Sequence, residues 1–332
     1  MSYRKHLPKT VKTYSKTNNK RSCVAEYHVN RITMNNNSPN RILEELQPGK
    51  DFFIGIDSDG CVFDTMEIKH KECFIPNIIK YWNLQAVSKY ARDSAEFVNL
   101  YSRWRGINRF PALVMSLDLL RDWDDVQKRN VSIPELPEIR AFIDSGRPLS
   151  NPSLDEYIAE KGKTEELMQA REWSHAVNRT VDDMVSGIPP FPYVVESLEK
   201  MKDLADMLVV SATPGEALNK EWSENKIDHY VRVIAGQEMG SKKEHLALAA
   251  VNKYKNDRIL MVGDAPGDMK AAKANNVLFY PIMPGEEDMS WQRFHEEAAD
   301  VFMKGNYAGS YEEKLISEFL DHLPETPPWK RK

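Results

Sequence analysis

The segment FFIGIDSDGCVFD, residues 52–64, joins a short apolar run to a polar loop that contains three aspartates. Residues 52–56 are almost continuously apolar, which is typical of a strand covered on both faces, as in a parallel sheet. Asp57 and Asp59 follow this strand two residues apart, so both side chains can face one crevice. Gly60 then allows the chain to turn away sharply. The segment therefore predicts a buried parallel strand with two carboxylates at its carboxyl end.

Four further apolar runs predict strands, and helical patterns lie between them. Val194, Leu198 and Met201, for example, recur at helical spacing before the second run. Strands that alternate with helices predict an α/β fold, a doubly wound parallel sheet of the Rossmann-like kind. The four predicted strands are residues 207–210, 231–235, 259–262 and 277–282.

The first two predicted strands are much too far apart for a single crossover helix to connect them. The intervening stretch has helical stripes, such as Ile75, Ile78 and Trp82, and we predict that it forms an all-helical cap. The predicted organisation is a basic, disordered tail over residues 1–47, an α/β core over 48–65 and 188–283, the cap over 66–187, and a C-terminal helical extension over 284–332 that packs on the core and is frayed at 327–332.

Composition excludes several classes of protein. With 332 residues, 41% of them hydrophobic, the chain can bury a substantial core. The net charge of -5 argues against nucleic-acid binding, and no apolar run reaches the roughly 18 residues of a membrane span. Cys23, Cys61 and Cys73 read as free thiols of a reducing compartment. We therefore expect a cytoplasmic protein without nucleic-acid or membrane partners, whose oligomeric state and true start (Met1 or Met34) stay open.

Polar side chains also follow the other predicted strands. Ser211 follows the second, Asp264 and Asp268 follow the fourth, and either Lys242 or Lys243 begins the helix after the third. The carboxyl ends of parallel strands meet at one edge of a sheet, where ligands bind. Carboxylates gathered there would repel one another unless a hard divalent cation joined them, and an oxygen-rich site suits Mg²⁺. We expect Lys242 to be the inward lysine.

Simpler structural roles stay open for two of these residues. Asp264 could cap the helix that starts near Pro266, and Ser211 could cap the helix that follows it.

The order of these motifs resembles that of the haloacid dehalogenase superfamily. The pattern is D-x-D-G-x-x-x-D at 57–64, a hydroxyl after the second strand, a lysine, and G-D-x-x-x-D at 263–268. The resemblance covers residues 50–66 and about 188–283, and the insertion falls where that family carries a mobile helical cap. It implies a member of the phosphatase and phosphomutase branch.

The resemblance also implies roles for individual residues. Asp57 would be the nucleophile and Asp59 the general acid/base. Asp264 would bind magnesium together with the Asp57 carboxylate and the main-chain carbonyl of Asp59, and Asp268 would be a further ligand or a support. The residues implied to bind phosphate are Ser211, Ala212 and Lys242.

Within the insertion, residues 101–109 read YSRWRGINR. They are similar to the Gly-x-Ser-Arg segment in the caps of β-phosphoglucomutase-like proteins, with Asn108 in place of Ser. The resemblance implies that Arg109, and secondarily Arg105, contact an anionic group of the substrate. The alternative is an exposed basic helix with Trp104 packed inside.

We therefore predict an Mg²⁺-dependent phosphohydrolase that cleaves phosphate monoesters of small metabolites through an aspartyl-phosphate on Asp57. A phosphate ester requires an acid for its leaving oxygen and then a base for water, whereas a halide leaves without a proton. Asp59 would supply both functions, which favours a phosphatase over a dehalogenase. The alternatives are a phosphomutase with the same first step and a non-catalytic binding protein on the same fold. The sequence does not name the substrate.

Overall fold

The computed structural model describes residues 39–330, and its centre is a five-stranded parallel sheet of order β3-β2-β1-β4-β5. Most of the predicted tail, with Met34, and the last two residues lie outside the described part of the chain. The sheet confirms the predicted α/β class. Its strands are β1 (Phe52–Ile56), β2 (Ala205–Val210), β3 (Val233–Ala235), β4 (Ile259–Gly263) and β5 (Leu278–Pro281).

Helices account for most of the remaining described residues. In chain order they are α1 (Arg41–Glu44), α2 (Thr65–Ile68), α3 (Ile75–Tyr81), α4 (Ser88–Asn99), α5 (Arg109–Arg121), α6 (Asp124–Gln127), α7 (Pro137–Asp144), α8 (Asn151–Lys161), α9 (Glu165–Met184), α10 (Val194–Met201), α11 (Gly215–Glu224), α12 (Lys242–Ala249), α13 (Pro266–Ala274), α14 (Glu287–Arg293), α15 (Ala299–Met303) and α16 (Ser310–His322). Single π-helical segments, Lys69–Phe74 and Phe294–Ala298, join α2 to α3 and α14 to α15.

Successive side chains of β1 point into two different cores. Ile54 and Ile56 pack with α10 and with the aromatic residues of α14 and α15, whereas Phe53 packs with residues of α12, α13 and α16. Helices thus cover both faces of the sheet, which explains why its strands are apolar throughout.

Residues 66–187, which we call the cap insertion, have a hydrophobic core of their own. Its members come from α3 to α9, with Trp173 and Phe142 completely buried among them. A separate core allows the insertion to hold its shape independently of the sheet. Residues 101–108 form a loop between α4 and α5, so the exposed basic helix that we considered for this segment is wrong.

The C-terminal residues contact both the sheet and the cap insertion. Phe319 packs beneath the sheet, and the Arg103 guanidinium of the insertion donates hydrogen bonds to the Leu320 and Leu323 carbonyls, both at 2.9 Å. Trp329 stacks on Trp123 of the insertion, with ring centroids 4.0 Å apart. The predicted fraying from residue 327 is therefore wrong as far as Lys330, because this aromatic stack anchors the segment.

The predicted boundary of the N-terminal tail also requires correction. Leu43 of α1 and Leu46 are buried in the core that contains α12, and Lys253 donates hydrogen bonds to the carbonyls of Leu43 and Glu44. Residues 41–46 are thus part of the core, because two leucines in a polar stretch suffice to dock a single helical turn. Between residues 39 and 330, no helix combines the length and the apolar character that crossing a membrane requires.

Candidate active site

Three of the predicted acids lie together at the carboxyl edge of the sheet. Asp57 directly follows β1, Asp264 directly follows β4, and Asp268 lies in the first turn of α13. One carboxylate oxygen of each lies within 4.8 Å of the others, and all three residues are buried. Because β1 and β4 are neighbours in register, Ile56 beside Val262, the strand pairing itself brings these acids together.

Lys242 is the lysine that reaches this cluster. Its Nζ lies 2.6 Å from Asp57 Oδ2 and 2.6 Å from Asp268 Oδ1. The start of α12 is fixed by a capping box between Ser241 and Glu244, which sets the direction of the following side chain. Lys243, the alternative, is exposed.

Burial dominates the electrostatics of the cluster. Removal from water raises the pKa of Asp57 to about 6, although Lys242 opposes the shift. Burial likewise raises the pKa of Asp268 to about 6, again against the effect of Lys242. The pKa of Lys242 is raised, because its two carboxylate partners outweigh its own burial. Lys242 is therefore charged throughout the physiological pH range.

Asp59 lies outside the three-carboxylate cluster, although its loop is the same. Its Oδ1 accepts hydrogen bonds from Thr65 at 2.5 Å and from Lys69 at 2.6 Å, and its Oδ2 accepts one from Thr213 at 2.6 Å. Burial alone would raise the pKa of Asp59. The charge of Lys69 and these three hydrogen bonds outweigh burial and lower that pKa to about 2.

The loop after β2 carries the two remaining phosphate-binding candidates. Ser211 is buried, and its Oγ accepts a hydrogen bond from the Thr213 N–H at 3.2 Å, while Ala212 is exposed. Helix α11 begins at Gly215, four residues after Ser211, and has no side-chain cap. The capping role that we left open for Ser211 is thus wrong, because its hydroxyl closes a tight turn ahead of the helix.

Asp264 has a partner from the cap insertion. Its Oδ2 accepts a hydrogen bond from Arg105 Nε at 2.7 Å, and both side chains are almost completely buried. Asp268 rather than Asp264 closes the start of α13, since its Oδ2 accepts from the Ala265 N–H at 3.1 Å. The capping role considered for Asp264 is therefore wrong.

Arg109, predicted to contact substrate, is engaged inside the cap insertion. Its Nη1 donates to the Ser174 hydroxyl at 2.9 Å and to Asn178 Oδ1 at 2.7 Å, and its guanidinium lies over the Phe74 ring. These contacts tie α5 to α9 and leave no contact between Arg109 and the acidic cluster. Of the two arginines, Arg105 lies beside the acidic cluster and Arg109 does not.

Sequence reasoning missed the residues that hold Asp59. Lys69 follows Thr65 by four residues, one helical turn, so both side chains lie on the same side of the helix. That spacing was the available signal. The pairing of Arg105 with Asp264 had no signal, because 159 residues separate the partners.

The cluster fits a hard divalent cation. It offers carboxylate oxygens from three side chains, and Asp264 Oδ1 is buried without a hydrogen-bond partner among residues 39–330. A buried polar atom without a partner is costly unless an ion or a water supplies one. A donor set made only of oxygen favours Mg²⁺ over zinc or copper.

The comparisons with known proteins agree with the motifs. Residues 142–281 match the family model described as haloacid dehalogenase-like hydrolase. That range includes β2 to β5 with Lys242, Asp264 and Asp268, and it leaves Asp57 outside. The resemblance inferred from the motifs is confirmed over the residues that this family model matches. No curated protein gives a significant match.

Solved structures give distant matches. A haloacid dehalogenase-like family hydrolase from Streptococcus pneumoniae is 14% identical, with a TM-score of 0.39 over 73% of this chain and 90% of that one. A subfamily IA hydrolase of the superfamily from Geobacter sulfurreducens is 15% identical, with a TM-score of 0.36 over 71% and 89%. A predicted phosphoglycolate phosphatase from Haemophilus somnus is 18% identical, with a TM-score of 0.36 over 71% and 88%.

The raised carboxyl pKa values predict how stability depends on pH. A carboxyl group whose pKa in the folded state is higher than its ordinary value of 3.8 binds its proton more tightly there, so its contribution to stability falls as pH rises from about 4 to about 6. We expect the unfolding free energy of the cation-free protein, minus that of Asp57→Asn, to decrease across this range. Urea unfolding between pH 4 and 7 measures it, and a difference that is constant or rises with pH would contradict the burial of an unneutralised carboxyl.

Proposed function

We propose that this protein is an Mg²⁺-dependent phosphohydrolase that cleaves phosphate monoesters of small metabolites through an aspartyl-phosphate on Asp57. The observation that supports it best is the contact of Asp57 Oδ2 with Lys242 Nζ inside a buried cluster of three carboxylates. Phosphoryl transfer requires a nucleophile, a positive charge beside it and a site for Mg²⁺. Asp57, the Lys242 ammonium group and the carboxylate cluster would supply these three parts.

In this proposal, one carboxylate oxygen of Asp57 attacks phosphorus, the ester P–O bond breaks and the leaving alcohol departs, while Lys242 neutralises the charge of the phosphoryl oxygens. The Ser58 N–H donates to Asp57 Oδ1 at 2.8 Å, so the carboxylate is oriented from both sides before substrate arrives. Mg²⁺, held by Asp57, Asp264 and Asp268, would supply further positive charge for the transferring group. Near neutral pH the Asp57 carboxyl, with a pKa of about 6, is mostly ionised and thus nucleophilic.

Asp59 is proposed as the base that activates water against the aspartyl-phosphate. With a pKa of about 2, it is ionised in the arrangement described here and has the protonation state of a base. To protonate a leaving oxygen in the first step, it must exchange the contact with Lys69 for one with substrate, because an acid needs a pKa near the operating pH. Lys69 begins the π-helical segment of the cap insertion, so movement of the insertion would change this contact.

Substrate size is limited by the cap insertion. Asp57, Asp264 and Ser211 are all less than 5% exposed, so the arrangement described is closed to a metabolite. Entry therefore requires movement of the insertion, and a closed site that excludes water suits a small monoester better than a macromolecular one.

A metabolite phosphatase panel tests the proposed function. We expect inorganic phosphate release that depends on Mg²⁺, stops with a chelator and returns when Mg²⁺ is restored. Conversion of one phosphate isomer into another without net release would favour the phosphomutase alternative instead. A panel without turnover, together with no binding of phosphate analogues, would favour a binding protein.

Changing Asp59 to asparagine tests its acid role by way of the leaving group. We expect alkyl phosphates to lose about 10²- to 10⁴-fold in kcat/KM, because their leaving oxygens need a proton. For aryl phosphates, whose leaving groups are acidic, the rate of the step that forms the aspartyl-phosphate should fall much less. Equal losses for both substrate types in single-turnover assays would refute protonation by Asp59.

A further inference from the structure

Arg105 is the cap-insertion residue whose guanidinium lies beside the acidic cluster. The side chain is about 1% exposed, and besides Asp264 it contacts the Leu100 carbonyl through Nη1 at 3.0 Å. A buried guanidinium is stable only when it is paired with an opposite charge and hydrogen-bonded. Asp264 is the carboxylate that meets this requirement.

Two glycines show that this position is built into the fold. A side chain on Gly60 would place its Cβ 2.5 Å from Arg105 Nη2 and 2.7 Å from Asp264 Oδ2, so the absence of one leaves room for the guanidinium. Gly106 has a φ of +78°, and a Cβ there would lie 3.0 Å from the Ala265 Cβ. The loop of residues 101–108 therefore packs closely against the residue next to Asp264.

The charges of the cluster cannot accommodate both Arg105 and a divalent cation. Asp57, Asp264 and Asp268 carry three negative charges at most, and Lys242 and Arg105 already supply two positive ones. A divalent ion bound among these carboxylates would lie within a few ångströms of both side chains and give the cluster a net positive charge, and like charges repel strongly in a buried site. One of the two side chains must then withdraw.

Arg105 is the side chain that can withdraw. Lys242 belongs to a capped helix of the core and pairs with two of the three carboxylates. Arg105 belongs to a loop and pairs with only one of the three carboxylates, that of Asp264. The second oxygen of Asp264, Oδ1, is buried without a partner among the described residues. A cation that binds Asp264 through Oδ1 would place two positive charges beside the guanidinium on Oδ2 and repel it.

We propose that Arg105 competes with the divalent cation for Asp264, so that cation binding releases residues 101–108 of the cap insertion from the core. The proposal rests on the proposed function, since it concerns the same cation site. Coupling of this kind is reciprocal: the docked loop weakens cation binding by the same factor by which the cation weakens loop docking. Arg105 thereby holds the site closed until the cation arrives, and the freed guanidinium stays close enough to meet a substrate anion.

Titration calorimetry with Mg²⁺ alone tests the competition. We expect Arg105→Gln to bind Mg²⁺ at least about 5-fold more tightly than the unchanged protein, the lower end of typical coupling factors. The matched control is Arg103→Gln, which removes the same charge from the same loop but whose guanidinium contacts the Leu320 and Leu323 carbonyls; its affinity should stay within about 2-fold. Equal or weaker binding by Arg105→Gln, or equal tightening by both variants, would overturn the proposal.

Hydrogen exchange on the unchanged protein gives a second readout that does not depend on a variant that folds. Adding Mg²⁺ should speed amide exchange within residues 101–108, although a bound ion ordinarily slows exchange around its ligands. Unchanged or slower exchange there would overturn the proposal. If neither the unchanged protein nor Arg105→Gln binds Mg²⁺, the cation site itself is refuted; if both bind Mg²⁺ with the same affinity, only the competition fails.

Discussion

Replacing Asp57 with asparagine is expected to abolish turnover, with a loss of about 10⁴-fold or more in kcat, because an amide oxygen is a far weaker nucleophile than a carboxylate. The fold should persist. Asparagine has the same shape, it can keep the hydrogen bond from the Ser58 N–H, and it removes a buried charge whose pKa the site already raises. The measurement is single-turnover phosphate release beside a thermal melt.

Asp64→Asn is the matched control for this variant. Asp64 belongs to the same loop and undergoes the same substitution, but it is exposed and makes no side-chain cap to α2. We expect its turnover to stay within about 3-fold of the unchanged protein, as for surface substitutions in general. Residual turnover of Asp57→Asn above one part in a thousand would argue against covalent attack by Asp57.

Replacing Lys242 with methionine is expected to lower kcat by about 10²- to 10³-fold, the usual cost of removing one charge-stabilising group from an active site. Stability should also fall, by about 3 kcal/mol near pH 8 without cation, because Asp57 and Asp268 would share a buried site without their counter-ion. The pKa values of both carboxyls should rise, so the loss should shrink below pH 6. Assays and urea unfolding at both pH values measure these effects.

Lys243→Met is the control for the lysine variant, because Lys243 is the exposed neighbour on the same helix turn. Its activity and stability should change little. Similar losses of activity and stability in both variants would mean that these properties depend on the net charge of this helix end and not on the contact of Lys242 with Asp57.

The fold was predictable where local pattern and burial agree. Strand β1 begins and ends as predicted, since an apolar run ends there at a charged residue. Strand β3 begins at Val233, two residues later than predicted, because a 3-10 turn at Asp228–Tyr230 precedes it and the Arg232 N–H has already bonded the Met207 carbonyl. Apolar character alone does not distinguish a strand from the approach to one.

The site was predictable as far as strand ends determine it. Asp57 and Asp264 meet because β1 and β4 are adjacent, a consequence of topology that the motif order already implied. Three features depend on contacts between residues far apart in sequence. They are the hydrogen bond from Arg105 to Asp264, the stacking of Trp329 on Trp123, and the hydrogen bond from Thr213 to Asp59. The sequence favoured Arg109 over Arg105, whereas the packing of α5 against α9 engages Arg109 away from the acidic cluster.

Fluorine NMR of the protein with fluoroberyllate and Mg²⁺ is the most direct test of the central claim, that Asp57 accepts a phosphoryl group beside a cation-binding carboxylate cluster. Fluoroberyllate mimics a phosphoryl group on a carboxylate, and forming that bond requires both the nucleophile and the cation. We expect slowly exchanging bound-fluoride resonances that appear with Mg²⁺, disappear with a chelator and are absent from Asp57→Asn and Asp264→Asn. Bound resonances of equal intensity in Asp57→Asn, or none in the unchanged protein at saturating Mg²⁺, would contradict the account.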